Sequence, residues 1–141
     1  MKQQVRITID STIGDQQLLQ QADGDLYLKN GHIYIKYEEV QEELGRTSVL
    51  LKFSDNQFKI IRQGDTGYEQ TFLPGEWTEG WYRTAQGALE MRTRTHSLQL
   101  RLDERGIGDA KWNYDLYVAG EHAGRFKIKL SVKPLSDNQE G

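Results

Sequence analysis

Asp25-Leu26-Tyr27-Leu28-Lys29-Asn30-Gly31-His32-Ile33-Tyr34-Ile35-Lys36-Tyr37 is the stretch that decides the fold. Two runs rich in Leu, Ile and Tyr flank Asn30-Gly31, the dipeptide best suited to a type I′ turn because both central residues must take positive φ. The segment therefore predicts a tight β-hairpin.

Working outward from it, the same period of two recurs along the chain. Val5, Ile7 and Ile9 alternate with Arg6, Thr8 and Asp10; Leu98, Leu100 and Leu102 with Gln99, Arg101 and Asp103; Ala110, Trp112, Tyr114, Leu116 and Val118 with Lys111, Asn113, Asp115 and Tyr117. Phe126, Ile128, Leu130 and Val132 against Lys127, Lys129, Ser131 and Lys133 give the cleanest case. Each pattern predicts a half-buried strand. Turn residues punctuate them at Ser54-Asp55-Asn56, Gly64-Asp65, Pro74-Gly75, Gly87, Glu104-Arg105-Gly106 and Ala119-Gly120. Residues 11–21 show no alternation and read as a loop or lid with a helical turn around Leu18 and Leu19, and residues 76–80 read as a second loop.

Nowhere do apolar residues recur at helical spacing over three turns. The expectation is an all-β chain of about eight to ten antiparallel strands. Short hairpins favour a closed barrel over a sandwich, because closure leaves no exposed edges. One domain spans residues 1–133, followed by a polar tail, 134–141. Such a barrel either holds one small ligand or fills itself with side chains.

Composition narrows the functional classes. A chain of 141 residues buries roughly two-thirds of its unfolded surface, enough for a real core. With no cysteine, disulfides, thiolate metal sites and cysteine nucleophiles are excluded. No apolar run reaches signal-peptide or membrane-span length, which makes the cytoplasm the default location. A net charge of −3 argues against nucleic-acid binding. The charge is uneven, however: residues 10–45 carry eight acids against Lys29 and Lys36, whereas residues 81–105 carry five arginines against Glu90, Asp103 and Glu104.

Gly24-Asp25-Leu26-Tyr27-Leu28-Lys29-Asn30-Gly31, Tyr34-Ile35-Lys36-Tyr37-Glu38-Glu39, Ile61-Arg62-Gln63-Gly64, Tyr82-Arg83-Thr84 with Gly87, Thr93-Arg94-Thr95 and Trp112-Asn113-Tyr114-Asp115-Leu116-Tyr117 together resemble the YwiB-like family of small bacterial calycin-like barrels, across essentially the whole chain. The resemblance implies a lipocalin-like barrel of cytoplasmic type. It brings no catalytic residue and no cofactor with it.

Several residues are candidates for chemistry. Arg62 continues the face of Phe58 and Ile60, so alternation points its guanidinium inward, where it either meets a ligand carboxylate or pairs with an acid of the same chain. Tyr37, Trp112 and Tyr114 are expected to line the interior, and Trp81 and Tyr82, beside a glycine-containing loop, a pocket rim. Glu38 and Glu39 are adjacent on a strand and so point to opposite faces, which prevents them from converging as acid and base. Arg92 and Arg94 form an outward basic stripe. His32, His96 and His122 lie far apart without metal-ligand spacing, and no Ser-His-acid order or phosphate loop is visible.

Two functions follow from these features. The first is non-enzymatic binding of a small, partly apolar ligand inside the barrel, which calls for a cavity of about 300 Å³ or more with a few convergent polar groups. The second is a structural or interaction module with a filled barrel, acting through the acidic loop around Glu38 to Glu43, Glu39, Glu42 and Glu43 included, or through the Arg92 and Arg94 face. A hydrolase or isomerase ranks third.

Overall fold

A computed structural model describes residues 2–41 and 45–135. Ten strands follow one another: β1 (Lys2–Ile13), β2 (Gln16–Lys29), β3 (His32–Gln41), β4 (Gly45–Ser54), β5 (Gln57–Gln63), β6 (Gly67–Phe72), β7 (Trp77–Thr84), β8 (Gly87–Leu102), β9 (Gly108–Val118) and β10 (Glu121–Pro134). Each pairs antiparallel with its neighbours in sequence, and β1 pairs with β10 to close the barrel. The expected architecture is the one observed, at the upper end of the expected strand number. No helix is long and apolar enough to cross a membrane among the described residues.

The deciding hairpin forms as read. Asn30 and Gly31 have φ of 54° and 79°, the left-handed pair that a type I′ turn requires, and they put Leu26 opposite Ile35 with both buried. Period two then carries Val5, Ile7, Val49, Leu51, Phe58, Phe72, Ala110, Trp112, Leu130 and Val132 to the inside. At one end Phe58 is a hub. Its ring stacks on Phe53 at 4.5 Å and on Phe72 at 5.6 Å, and meets Trp112 edge-on at 4.7 Å. Each such aromatic contact adds about 0.5–1.5 kcal/mol beyond simple burial, so this end of the barrel is a packed plug.

Two predicted loops are strands. Residues 11–21 continue β1 and begin β2 around a turn at Gly14-Asp15, with Leu18 and Leu19 exposed at 55% and 67% rather than folded into a helical turn. β1 supplies the pairing along this whole segment, from Lys2 opposite Tyr27 to Ile13 opposite Gln16, so the strand forms without an alternating pattern of its own. Residues 77–80 belong to β7, where Gly80 marks a close approach: a Cβ there would sit 2.1 Å from the Glu69 carbonyl oxygen.

The strand predicted from Leu98 is the second half of a longer one, β8, which is interrupted by a bulge between Thr95 and Ser97. The bulge inserts His96 and shifts the inward phase from Met91, Thr93 and Thr95 to Leu98, Leu100 and Leu102. β10 shows a similar register shift between His122 and Gly124.

Candidate functional site

Opposite the aromatic plug the interior is not filled. Inward residues of β1 to β6, β9 and β10 line a cavity of about 190 Å³, bounded by Ile9, Ile13, Leu18, Leu51, Ile60, Phe126, Ile128 and Leu130. Its polar lining comes from Tyr37, Arg62, Tyr68, Gln70, Trp112 and Tyr114. The volume is below the 300 Å³ expected for a binder, because Phe58, Phe72 and Trp112 take up the far half of the barrel. A larger hollow of about 330 Å³ over Lys111, Lys127 and Lys129 opens to solvent on the outer wall and has no enclosed interior.

Arg62 sits at this cavity as its strand phase predicts, and it has an internal partner. Its Nη1 and Nη2 both donate to the Glu39 carboxylate, the second at 3.2 Å, with side-chain exposures of 24% for Arg62 and 14% for Glu39. The guanidinium also lies 5.2 Å from the centre of the Tyr68 ring. Burial works against its charge, but Tyr68 and Glu39 outweigh that and hold the Arg62 pKa above the ordinary value. Among the described residues its Nε is buried without a partner, as is Nε1 of Trp112, another residue of the cavity lining. Two buried donors without acceptors are costly in a finished core, about 1–3 kcal/mol each.

Tyr37 and Tyr114 line the cavity and are buried, and that burial pushes both phenols above their ordinary pKa. Glu39 and Tyr68 add to the shift at Tyr37; Tyr68 does so at Tyr114, where a hydrogen bond with Gln70 works the other way. The Gln70 amide donates to Thr93 Oγ1 at 3.0 Å, which fixes its orientation inside the barrel. Tyr68 and Gln70 were not singled out in the sequence. Their signal was the alternation of Tyr68, Gln70 and Phe72, which puts all three on one face.

Other site residues fall elsewhere. Trp81 is on the outer wall, with the Arg83 guanidinium 4.9 Å above its ring, because Trp81 opposes Glu69 on the outward phase of β6. Tyr82 is inward and stacks on Tyr68 at 6.5 Å, without lining the cavity. Glu38 faces out and accepts from Arg46 at 3.1 Å; Glu39 faces in, so it is part of the interior and not of an outer acidic patch. Glu42 and Glu43 of the acidic loop, and residues 136–141 of the tail, lie outside the described residues.

The Arg92 and Arg94 stripe is on the outer face, and both guanidinium groups lie over the Trp77 ring, 4.6 Å and 5.7 Å from its centre. The acid opposite Arg94 in register is Asp115, which is committed to other partners. Arg125 donates to both its oxygens, at 3.2 and 3.0 Å, and His122 and His96 meet one oxygen each at 2.9 and 2.6 Å. Those hydrogen bonds, Arg125 first, hold the Asp115 carboxyl well below the usual carboxylate range. Two histidines far apart in sequence are thus brought to one carboxylate. Among the described residues no group of three or more His, Asp and Glu side chains is arranged to hold a metal ion.

The sequence profile described as a domain of unknown function, DUF1934, matches residues 3–130. The chain belongs to the DUF1934 family. It is 32% identical over 127 residues to the uncharacterized beta-barrel protein YwiB of Bacillus subtilis (strain 168), covering 86% of this chain and 88% of YwiB. The crystal structure of the ywiB protein from Bacillus subtilis superposes with a TM-score of 0.82 over 95% of this chain and 93% of that one, at 24% identity. The resemblance drawn from the sequence motifs is thereby established, and the ten-stranded barrel of this DUF1934 chain has the architecture of the solved relative.

Proposed function

We propose that this DUF1934 barrel is a lipocalin-like, non-enzymatic protein of the cytoplasm that binds a compact, partly apolar ligand in its unfilled half. The observation that carries this reading is a cavity that sets the guanidinium of Arg62 and the polar groups of Tyr68, Gln70 and Tyr114 against an apolar wall. A ligand with an acceptor group is matched by them, and its hydrocarbon part rests on Ile9, Ile60, Phe126 and Ile128. The 190 Å³ volume limits it to a molecule of the bulk of roughly six waters, at about 30 Å³ each. A carboxylate is the best-matched acceptor. It competes with Glu39 for the terminal nitrogens of Arg62.

Native mass spectrometry of the purified protein, followed by denaturing extraction, tests this directly. A stoichiometric small molecule that is lost in Arg62→Ala, with the fold intact, supports the reading. A clean apo mass together with no thermal shift from a panel of small carboxylates overturns it.

A second reading, an interaction module acting through its outer wall, draws on Trp77, which is 43% exposed and overlain by Arg92 and Arg94. Charge reversal at both arginines should then release an acidic partner in pull-down, and an unchanged partner set counts against it.

A further inference from the structure

The barrel wall is incomplete along one strand. β2 pairs with β1 over its whole first part, but its ladder to β3 begins only at Gly24, opposite Tyr37, and runs to Lys29. Among the described residues, 16–23 have no strand partner on the side away from β1, and a cleft of about 380 Å³ lies there between Gln20, Gln21 and Asp23 on one side and Tyr37, Glu38 and Glu39 on the other. Gly24 sets the branching point. A Cβ there would stand 2.5 Å from the Lys36 carbonyl oxygen and 2.9 Å from Tyr37 Cβ, so only glycine lets β2 approach β3 this closely before leaving it.

An exposed strand edge presents alternate N–H and C=O groups that pair with another chain unless something prevents it. The usual protections are charge, proline and bulges. β3, on the far side of the cleft, has the first of these in Glu38 and Glu39. Over residues 16–22 β2 has none: Gln16-Gln17-Leu18-Leu19-Gln20-Gln21-Ala22 contains no charged residue and no proline, its register with β1 is unbroken, and Asp23 just beyond is paired with Arg6 of β1 at 2.9 Å. Leu18 and Leu19, one on each face of the strand, are exposed at 55% and 67%.

We infer that the free edge of β2, residues 16–22, docks a second copy of this chain, strand against strand and antiparallel about a two-fold axis. The neutrality of the segment singles out this occupant. Antiparallel pairing of a strand with itself opposes like residues, which an acidic or basic edge resists and an uncharged glutamine-leucine edge does not. The edge also lacks the charged groups that would select a particular foreign peptide. A two-fold pairing uses the same surface on both copies, so it closes as a dimer and does not propagate.

Light scattering during size exclusion of the full chain over a dilution series tests this, with Leu19→Lys and Gln21→Lys as variants. Both side chains are exposed on the outer face of the strand, so the fold is expected to survive, as a melting curve verifies. The expected result is a species of twice the 16.3 kDa chain mass, whose dissociation constant rises roughly tenfold or more in either lysine variant. Hydrogen exchange at high and low concentration should add protection within residues 16–22. A wild type that stays monomeric throughout, or a dimer that both variants and the exchange pattern leave untouched, overturns the inference. Neither outcome depends on whether the interior binds a ligand.

Discussion

Removing the carboxylate of Glu39 is the sharpest probe of the interior. In Glu39→Ala the Arg62 guanidinium keeps its place at the cavity with only 24% of its side chain exposed, and loses both terminal hydrogen bonds. Breaking a fully buried pair costs about 3–5 kcal/mol, because the surviving charge is stranded, and breaking an exposed one about 0–1 kcal/mol. With exposures of 24% and 14%, this pair lies between, at about 2 kcal/mol. A chain of 141 residues has an unfolding entropy of about 0.3 kcal/mol/K, so the melting temperature should fall by about 7 °C. Arg62→Ala should cost a similar amount, including the contact over Tyr68. The double variant strands no charge and should be no worse than either single, a coupling of about 2 kcal/mol. Urea unfolding followed by tryptophan fluorescence measures all three. Additive effects, or a Glu39→Ala loss under about 0.5 kcal/mol, would refute the reasoning by placing the pair in water, and with it the oriented guanidinium that the ligand reading uses.

Two further predictions concern pH. Asp115 is held below its ordinary pKa of 3.8, so its contribution is present above about pH 4 and is lost as pH falls toward the folded-state value. The stability gap between the wild type and Asp115→Asn should therefore narrow between pH 5 and pH 2, by guanidinium unfolding at about those two values; a constant gap refutes the assignment. Tyr37 and Tyr114 are raised above the ordinary 10.0, so what they contribute is present below pH 10 and lost as pH rises. Phenolate absorbance should reveal them only together with alkaline unfolding, and the part missing in Tyr37→Phe and Tyr114→Phe should come entirely from that late phase. Loss of signal from an earlier phase, in a barrel still folded by circular dichroism, would contradict their burial.

The fold was legible wherever one face of a strand meets the core and the other meets water. Leu26, Ile35, Leu130 and Val132 are buried for that reason, and their polar neighbours announce it. The segment 11–21 was misread because its second half faces the core weakly and lacks a partner on one side, so nothing imposes alternation on Gln16-Gln17-Leu18-Leu19-Gln20-Gln21. The β8 bulge left a trace that could have been followed. The inward residues are odd-numbered through Thr95 and even-numbered from Leu98, a phase slip that one inserted residue explains, and that residue is His96.

The site was legible only as far as strand phase reaches. Phase put Arg62 inside, separated Glu38 from Glu39 and turned Trp112 and Tyr114 to the core, all from residues a few positions apart. It did not say that Glu39 meets Arg62, because that pairing crosses β4 and depends on two ladder registers at once. The same limit hid the Asp115 cluster, assembled from a bulge on β8, a register shift on β10 and the strand between them. It also hid the open edge of β2, since where a ladder stops depends on a glycine contact made by a neighbouring strand. The Asp115 cluster and the open edge of β2 both arise where regular pairing is interrupted. Alternation in sequence reports regular pairing, and so it names the wall of the barrel more readily than the openings in it.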